Sequence, residues 1–369
     1  MKHTLLITGA AGYVGTMLVQ QFAQRDDVEK IIGIDKEPLP EIISSEPKLV
    51  YIQSNLSDAG WEEQVVAYKP DIVIHSAWQI REMYGEKEKQ WQWNVDGSDR
   101  VFDFCFEHSF VTRLVHFSTV ASYGAEKTNS VDHRYKEEEG FRKSDYLYAE
   151  EKRIVEQHLE EKFTAAKERG RNIEVAIVRP AAITGPRGRY MRIRFGLQAA
   201  LSGQLKESLG RARPMGEAFV HKLISLMVSF VPATHTWLRQ FIHEDDVVRI
   251  VELLAFSPLK KQYEAFNICP PGAVVRAPDM AKAVGKKVIY VHPQLIRFVF
   301  FWMWHGTRGR VPTSKGGWKS YSYPIAVDGS KLTREYGFEY SAPSLDAFYY
   351  TNGKYEDFVP AENRRHKNA

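Results

Sequence analysis

Cysteine is nearly missing from this sequence. Cys105 and Cys269 are the only two in 369 residues, far apart and without a C-x-x-C pair. That excludes a disulfide framework and a structural zinc site, and no metal is expected. No apolar run reaches the ~20 residues that a membrane-spanning helix needs. No repeat or low-complexity segment stands out. Net charge is only +4, too mild to imply a nucleic-acid partner. No targeting segment precedes the first apolar run, so a cytoplasmic location is expected. The sharpest absence is local. Between Met280 and Val327 there is no Asp or Glu, yet there are eight Lys or Arg.

What is present begins at Thr4. Leu5, Leu6 and Ile7 form a short continuous apolar run, as in a parallel strand covered on both faces. Gly9, Gly12 and Gly15 follow, three apart, and from Val14 a helical pattern begins with Met17, Leu18 and Phe22. Strand, glycine turn and helix start make a cradle for a pyrophosphate, because glycines admit the phosphates and a helix N-terminus offers unpaired N–H groups. A second apolar run, Lys30–Ile34, ends in Asp35, 20 residues past Gly15. A ribose-binding carboxylate is expected at about that distance.

Short apolar runs then recur at Val50–Gln53, Ile72–His75, Leu114–Ser118 and Val175–Arg179. Helical patterns separate them at Trp61–Ala67, Trp91–Glu107 and Ala149–Lys167. The alternation predicts an α/β fold, a Rossmann-type doubly wound parallel sheet with helices on both faces. Right-handed crossovers bring the strand ends to one edge. Asn55-Leu56, Ser76-Ala77-Trp78, Ser118-Thr119 and Arg179-Pro180 stand there in turn, which describes a cleft. The charged stretch Glu126–Asp145, with Glu137-Glu138-Glu139, reads as an exposed solvated loop.

Tyr148 and Lys152 lie four apart at the start of a helical pattern, on one face. A phenol titrates near 10, so use as a base at neutral pH needs about three units of depression, roughly 4 kcal/mol. A neighbouring ammonium and an oxidised nicotinamide favour that. Thr119 stands 29 residues earlier, placed to hydrogen-bond the same substrate oxygen. Tyr146 is a decoy on this reading, because Glu150 occupies the lysine's place four residues on. His75, His116 and His243 read as structural.

These segments resemble the extended short-chain dehydrogenase/reductases of the NAD-dependent epimerase/dehydratase family. The resemblance rests on TGAAGYVG, GIDK, SNLSD, VIHSAW, WNVDGS, HFSTVASYG, YAEEK, RPAAITGP and FIHEDDV. It implies NAD as cofactor and Thr119, Tyr148 and Lys152 as the catalytic set. The implied cofactor contacts are Gly9, Gly12, Tyr13, Val14, Gly15, Asp35, Asn55, Leu56, Ala77, Tyr148, Lys152 and Pro180. There are departures. Asn55 stands where the family usually has Asp, its amide oxygen still able to accept from adenine. Trp78 replaces a small residue, so it is a candidate substrate contact that narrows the nicotinamide side or stacks on a substrate. Arg179-Pro-Ala-Ala-Ile lacks the Asn that sugar-nucleotide enzymes often carry there.

The resemblance implies NAD-dependent chemistry on a secondary alcohol, foremost a nucleotide sugar. A hydroxysteroid-dehydrogenase-like enzyme on an apolar alcohol, and a dinucleotide sensor without catalysis, are the other readings. The expected division is residues 1–182 with 240–268 for the dinucleotide, 183–239 with 269–350 for the substrate, and 351–369 as a tail. Ala218–Val231 reads as a helix ended by Pro232. Arg187–Pro214 holds seven basic residues and one acid, so Arg187 and Arg189 are candidate substrate contacts. Leu295–Trp304 is an apolar aromatic run set among basic residues. It reads as a core helix, as part of a basic diphosphate pocket, or as a peripheral membrane contact through residues 293–319. The pocket is preferred to the membrane, and a homodimer is a further alternative.

Overall fold

The computed structural model describes residues 2–185, 187, 230–272, 274–283, 287–309, 311 and 313–347. Its centre is a seven-stranded parallel sheet: β1 His3–Thr8, β2 Val28–Asp35, β3 Leu49–Gln53, β4 Ile72–His75, β5 Arg113–Phe117, β6 Glu174–Pro180 and β7 Tyr263–Ile268. The spatial order is β7-β6-β5-β4-β1-β2-β3. Every adjacent pair is parallel. The order runs outward from β1 in both directions, so the crevice at the strand ends falls beside β1, where the glycine turn lies.

Each face is covered because each strand turns alternate apolar side chains to opposite sides. On one face Leu5 and Ile7 meet Met17, Leu18 and Phe22 of α1 (Tyr13–Ala23) and Val247, Ile250 and Leu254 of a later helix. On the other, Leu6 and Val73 meet Trp61 of α2 (Trp61–Val66), Val101, Phe102 and Phe104 of α3 (Gly97–Glu107), and Val155 and Leu159 of α4 (Leu147–Glu168). The later helix is α5, Glu244–Phe256. It follows a short strand, Phe241–His243, that pairs with Ala182–Thr184.

Two expectations need correction. Phe230, Val231 and Pro232 stand in a strand, Phe230–Ala233, parallel to Lys287–Tyr290, and the rest of the expected helix from Ala218 lies outside the described residues. A partner strand some 57 residues away (287 less 230) overrides the local helical pattern. The charged loop is not wholly solvated either. Tyr135 is buried and its N–H donates to Ala326 O at 2.9 Å. Glu137 Oε1 accepts from Asn267 N at 2.8 Å, and burial raises that carboxyl. Residues 351–369 lie outside the described residues.

Candidate functional site

The glycine turn is built as the spacing requires. Gly9 has φ +74°, and a Cβ there would come within 2.7 Å of the Ala77 backbone. Gly12 N donates to Gly9 O at 2.9 Å and Gly12 caps α1. No side chain caps that end, and its first turn holds no acid. The leading N–H groups of an 11-residue helix are thus turned to the cleft with their partial positive charge intact. This is a cradle that fits a dinucleotide pyrophosphate.

Asp35 closes the loop from the side. Its Oδ2 accepts from Ala11 N and its Oδ1 from Glu37 N, both at 3.0 Å. Burial raises its carboxyl, against the pull of those N–H groups and of Lys36. Lys36 itself pairs with Glu37 at 2.6 Å. Asn55 departs from expectation. Its Oδ1 accepts from both the N and the Oγ of Ser57, at 3.1 Å each. Both lone pairs of that oxygen therefore serve the turn.

Tyr13 is anchored through its hydroxyl, which donates to Glu244 Oε2 at the start of α5. Glu244 also accepts from Arg187 N at 3.2 Å. Burial pushes the Glu244 carboxyl up to about 7, while those two donors pull it down. Gly185 makes room for it: a Cβ there would stand 2.2 Å from the carboxyl carbon. Arg187 is therefore internal. It is 1% exposed, its Nη1 donates to Gln20 Oε1 at 2.8 Å, and it does not line the cleft. The expected substrate role of Arg187 is corrected on that ground. Arg189 lies outside the described residues.

One cleft of about 600 Å³ joins these parts to the rest. Gly9, Gly12, Tyr13, Val14, Gly15, Asp35, Asn55, Leu56, Ala77 and Pro180 line it, as do Trp78, Thr119 and Tyr148. Thr119 follows β5 and caps a short turn, its Oγ1 accepting from Ala121 N at 3.2 Å. Tyr148 sits in the first turn of α4. Burial raises its phenol, and a hydrogen bond with Thr119 draws it part of the way back.

Lys152 is one turn along but is turned into the wall. Its amine donates to Phe117 O and lies 3.6 Å from the centre of the Trp78 ring. Burial drives it well below its usual value, with Glu156 and Glu151 opposing. Burial disfavours the charged form of both groups, which works against the depression of the phenol that the spacing led one to expect.

His75 is closed in by Thr8 Oγ1 at 2.7 Å and Ser98 Oγ at 2.9 Å, stacked on His116. Burial lowers His75 to about 3, and His116 also falls well below its ordinary value. His243 caps α5 by accepting from Asp245 N.

Sequence reasoning missed part of the cleft lining. Tyr146, set aside as a decoy, belongs to it, together with Arg239, Gln240 and Ser320. Arg239 donates to the carbonyls of Ser320 and Leu238, and burial brings it down to about 10. Its signal was available: an arginine two residues ahead of the FIHEDDV segment, hence beside the cleft edge. Of the basic residues that were expected to form a pocket, those among the described residues, Arg187, Arg297, Arg308, Lys315 and Lys319, do not line this cleft. The rest of the Arg187–Pro214 set and Arg310 lie outside the described residues. Arg297 lies over Trp318, and Lys319 pairs with Glu126 and Asp145. Among the described residues, Lys36 and Arg239 are the cations that line it.

A model of the NAD dependent epimerase/dehydratase family matches residues 5–269. A 3 beta-hydroxysteroid dehydrogenase/Delta 5-->4-isomerase of Vaccinia virus (strain Ankara) is 24% identical over 195 residues, 51% of this chain. The chain spans about half the length (54%) of that curated relative. MoeE5, solved with UDP-glucuronic acid and NAD, superposes with a TM-score of 0.66 at 19% identity, covering 94% of this chain and 97% of MoeE5. Bordetella bronchiseptica WbmG, solved with NAD, gives 0.64 at 20% identity over 97% and 96%. The UDP-glucose 4-epimerase of Thermotoga maritima, solved with UDP-glucose, gives 0.63 at 17% over 94% and 96%.

Proposed function

The chain belongs to the NAD-dependent epimerase/dehydratase family and is an NAD-dependent enzyme of the extended short-chain dehydrogenase/reductase type; from that premise we propose that it oxidises a secondary alcohol of a nucleotide sugar, with Thr119 and Tyr148 on the reacting oxygen. NAD, when bound, supplies the hydride acceptor. The glycine turn and the start of α1 hold its pyrophosphate, and Asp35 its adenosine ribose.

The observation that carries this reading is that one cleft is lined by the glycine turn, Thr119, Tyr148 and Arg239 together. The turn follows β1 and Thr119 follows β5, two strands away in the sheet, while the Tyr146 ring, 5.8 Å from that of Tyr148, interacts with Arg239. Tyr148, as the phenolate, would take the hydroxyl proton and become the neutral phenol while the alcohol carbon loses hydride to bound NAD and becomes a carbonyl. That phenolate would be favoured by the positive charge of oxidised NAD, against the burial that opposes it. Thr119 fixes the oxygen in line. Lys152, gripped by the Phe117 carbonyl and the Trp78 ring, positions the first turn of α4. Arg239 pairs with the substrate's diphosphate.

A second reading has its own observation. Trp78, Ile80, Val120, Ile183 and Ile325 add apolar side chains to the cleft lining, which suits a hydroxysteroid-like alcohol.

Purified protein with NAD, offered UDP-glucose, UDP-glucuronate and a 3β-hydroxysteroid, separates the two. Conversion of a UDP-sugar is expected, with Arg239→Met raising KM about tenfold or more. Tyr148→Phe should lower kcat by about a thousandfold while NAD affinity stays unchanged, and Lys152→Ala should lower both. Oxidation of the steroid alone would replace the first reading by the second. A Tyr148→Phe enzyme that kept most of its activity would remove Tyr148 from its role.

A further inference from the structure

The helix α6, Pro293–Gly306, has the sequence PQLIRFVFFWMWHG, and of its 14 residues only Ile296 and Trp304 are buried. A helix in which Gln294, Arg297 and His305 are the only polar side chains belongs largely inside a protein. This one lies on the surface, with Leu295 50%, Phe298 60%, Phe301 54% and Trp302 58% exposed. Leu295, Phe298 and Trp302 follow the spacing of one helical stripe. Ile289 and Tyr290, on the strand just before, are also exposed. Large apolar side chains exposed together on one helix stripe mark a contact.

The charge around it selects the partner. No acid occurs from Met280 to Val327. Lys282, Lys287, Arg297, Arg308 and Lys315 are all exposed on the same segment. Glu82 faces Lys315, and Glu126 and Asp145 pair with Lys319. Aromatic side chains on one stripe of a segment that carries cations and no acid of its own still match an anionic lipid surface. The rings enter the acyl boundary and the long cations reach the headgroups. At about 21 Å (14 residues of 1.5 Å) the helix is too short to cross a bilayer. No described helix is long and apolar enough to do so.

We infer that α6 docks the enzyme on an anionic membrane, lying in its surface. The surface adjoins the cleft. Tyr84 packs on Trp304 at 5.4 Å between ring centres, and Ile80, on the same loop, lines the cleft and is 59% exposed. Docking of α6 therefore sets the bilayer beside the cleft.

The inference rests on this surface and not on the catalytic reading, so it is tested without turnover. The full chain is floated with vesicles of one-third phosphatidylglycerol in phosphatidylcholine, and with phosphatidylcholine alone, at physiological ionic strength. Binding to the anionic vesicles and little to the neutral ones is expected. Phe298→Glu with Trp302→Glu should weaken partitioning about a hundredfold. Arg297→Glu with Arg308→Glu should remove the preference for anionic lipid. NAD affinity, unchanged in both variants, reports that they fold. Failure of the native chain to bind overturns the inference, and so does equal binding by the variants. A concentration-dependent dimer that Phe298→Glu with Trp302→Glu breaks, without vesicle binding, overturns it in favour of a second copy.

Discussion

Gly15→Ala is the substitution that bears most directly on the phosphate cradle. A Cβ on Gly15 would stand 1.9 Å from Gly9 O, 2.7 Å from its carbonyl carbon and 2.8 Å from Ala10 Cα. Real contacts stop near 3.0 Å, so the closest pair must part by at least 1.1 Å (3.0 less 1.9). All three neighbours are backbone, and none can swing aside. The turn must move as a whole, against Gly12 N to Gly9 O and Gly9 N to Ile34 O, at 2.9 and 2.8 Å. Overpacking of this kind costs about 1–3 kcal/mol of stability. The cost to the cofactor is larger. A shift of about an ångström carries the N–H groups out of reach of the phosphate oxygens. Two lost charge-assisted bonds, at about 1.5–3 kcal/mol each, weaken NAD by at least a hundredfold. Gly140→Ala is the matched control, because a Cβ there meets nothing within 4 Å. Calorimetric titration with NAD, alongside thermal melts, measures both effects. A folded Gly15→Ala protein that binds NAD within threefold of the parent would refute the cradle.

The buried acid at the start of α5 gives a pH signature. The Glu244 carboxyl is raised from 4.5 to about 7 in the folded protein. The folded chain then keeps a proton that the unfolded chain loses, so this stabilising contribution is whole below pH 4.5 and gone above about pH 7. The difference of 2.5 units (7 less 4.5) corresponds to about 3 kcal/mol. Glu244→Gln should flatten that fall, read as urea midpoints across the range, and an unchanged slope would contradict the assignment. Asp35 lines the cleft and, as the proposed ribose contact, would repel a 2′-phosphate, so NAD should bind at least about tenfold more tightly than NADP. Asp35→Ser should narrow the gap, and equal affinities in the parent would end that reading.

Legibility in the sequence followed the range of the interactions. Buried parallel strands announce themselves locally, and the turn glycines sit where no side chain fits, so β1, the glycine turn, Asp35 and Thr119 could be placed from spacing alone. Tyr148 and Lys152 were legible as neighbours on a helix. The rotation of the lysine into Phe117 O and Trp78 was not, because it depends on a carbonyl 35 residues away in the chain (152 less 117). Arg239 and Tyr146 meet across the cleft only after the chain has returned from the second half. Arg187 reads as basic and exposed until Glu244 and Gln20 are seen to enclose it. The aromatic run of α6 shows why composition alone misleads: apolar residues imply burial only when an element is there to cover them.

The position of β7 bears on how the chain is made. Until Tyr263 is synthesised, β6 has no neighbour on its outer side. That edge presents Val175, Ala176, Ile177 and Val178, an apolar segment with every backbone group on one flank unpaired. Another 83 residues (263 less 180) must leave the ribosome before its partner arrives. At about 5–20 residues per second that is roughly 4–17 s, long on the scale of strand association. A nascent chain stalled within this interval carries an adhesive edge. The demand on holding chaperones should therefore peak after the sixth strand emerges and subside once the seventh has docked.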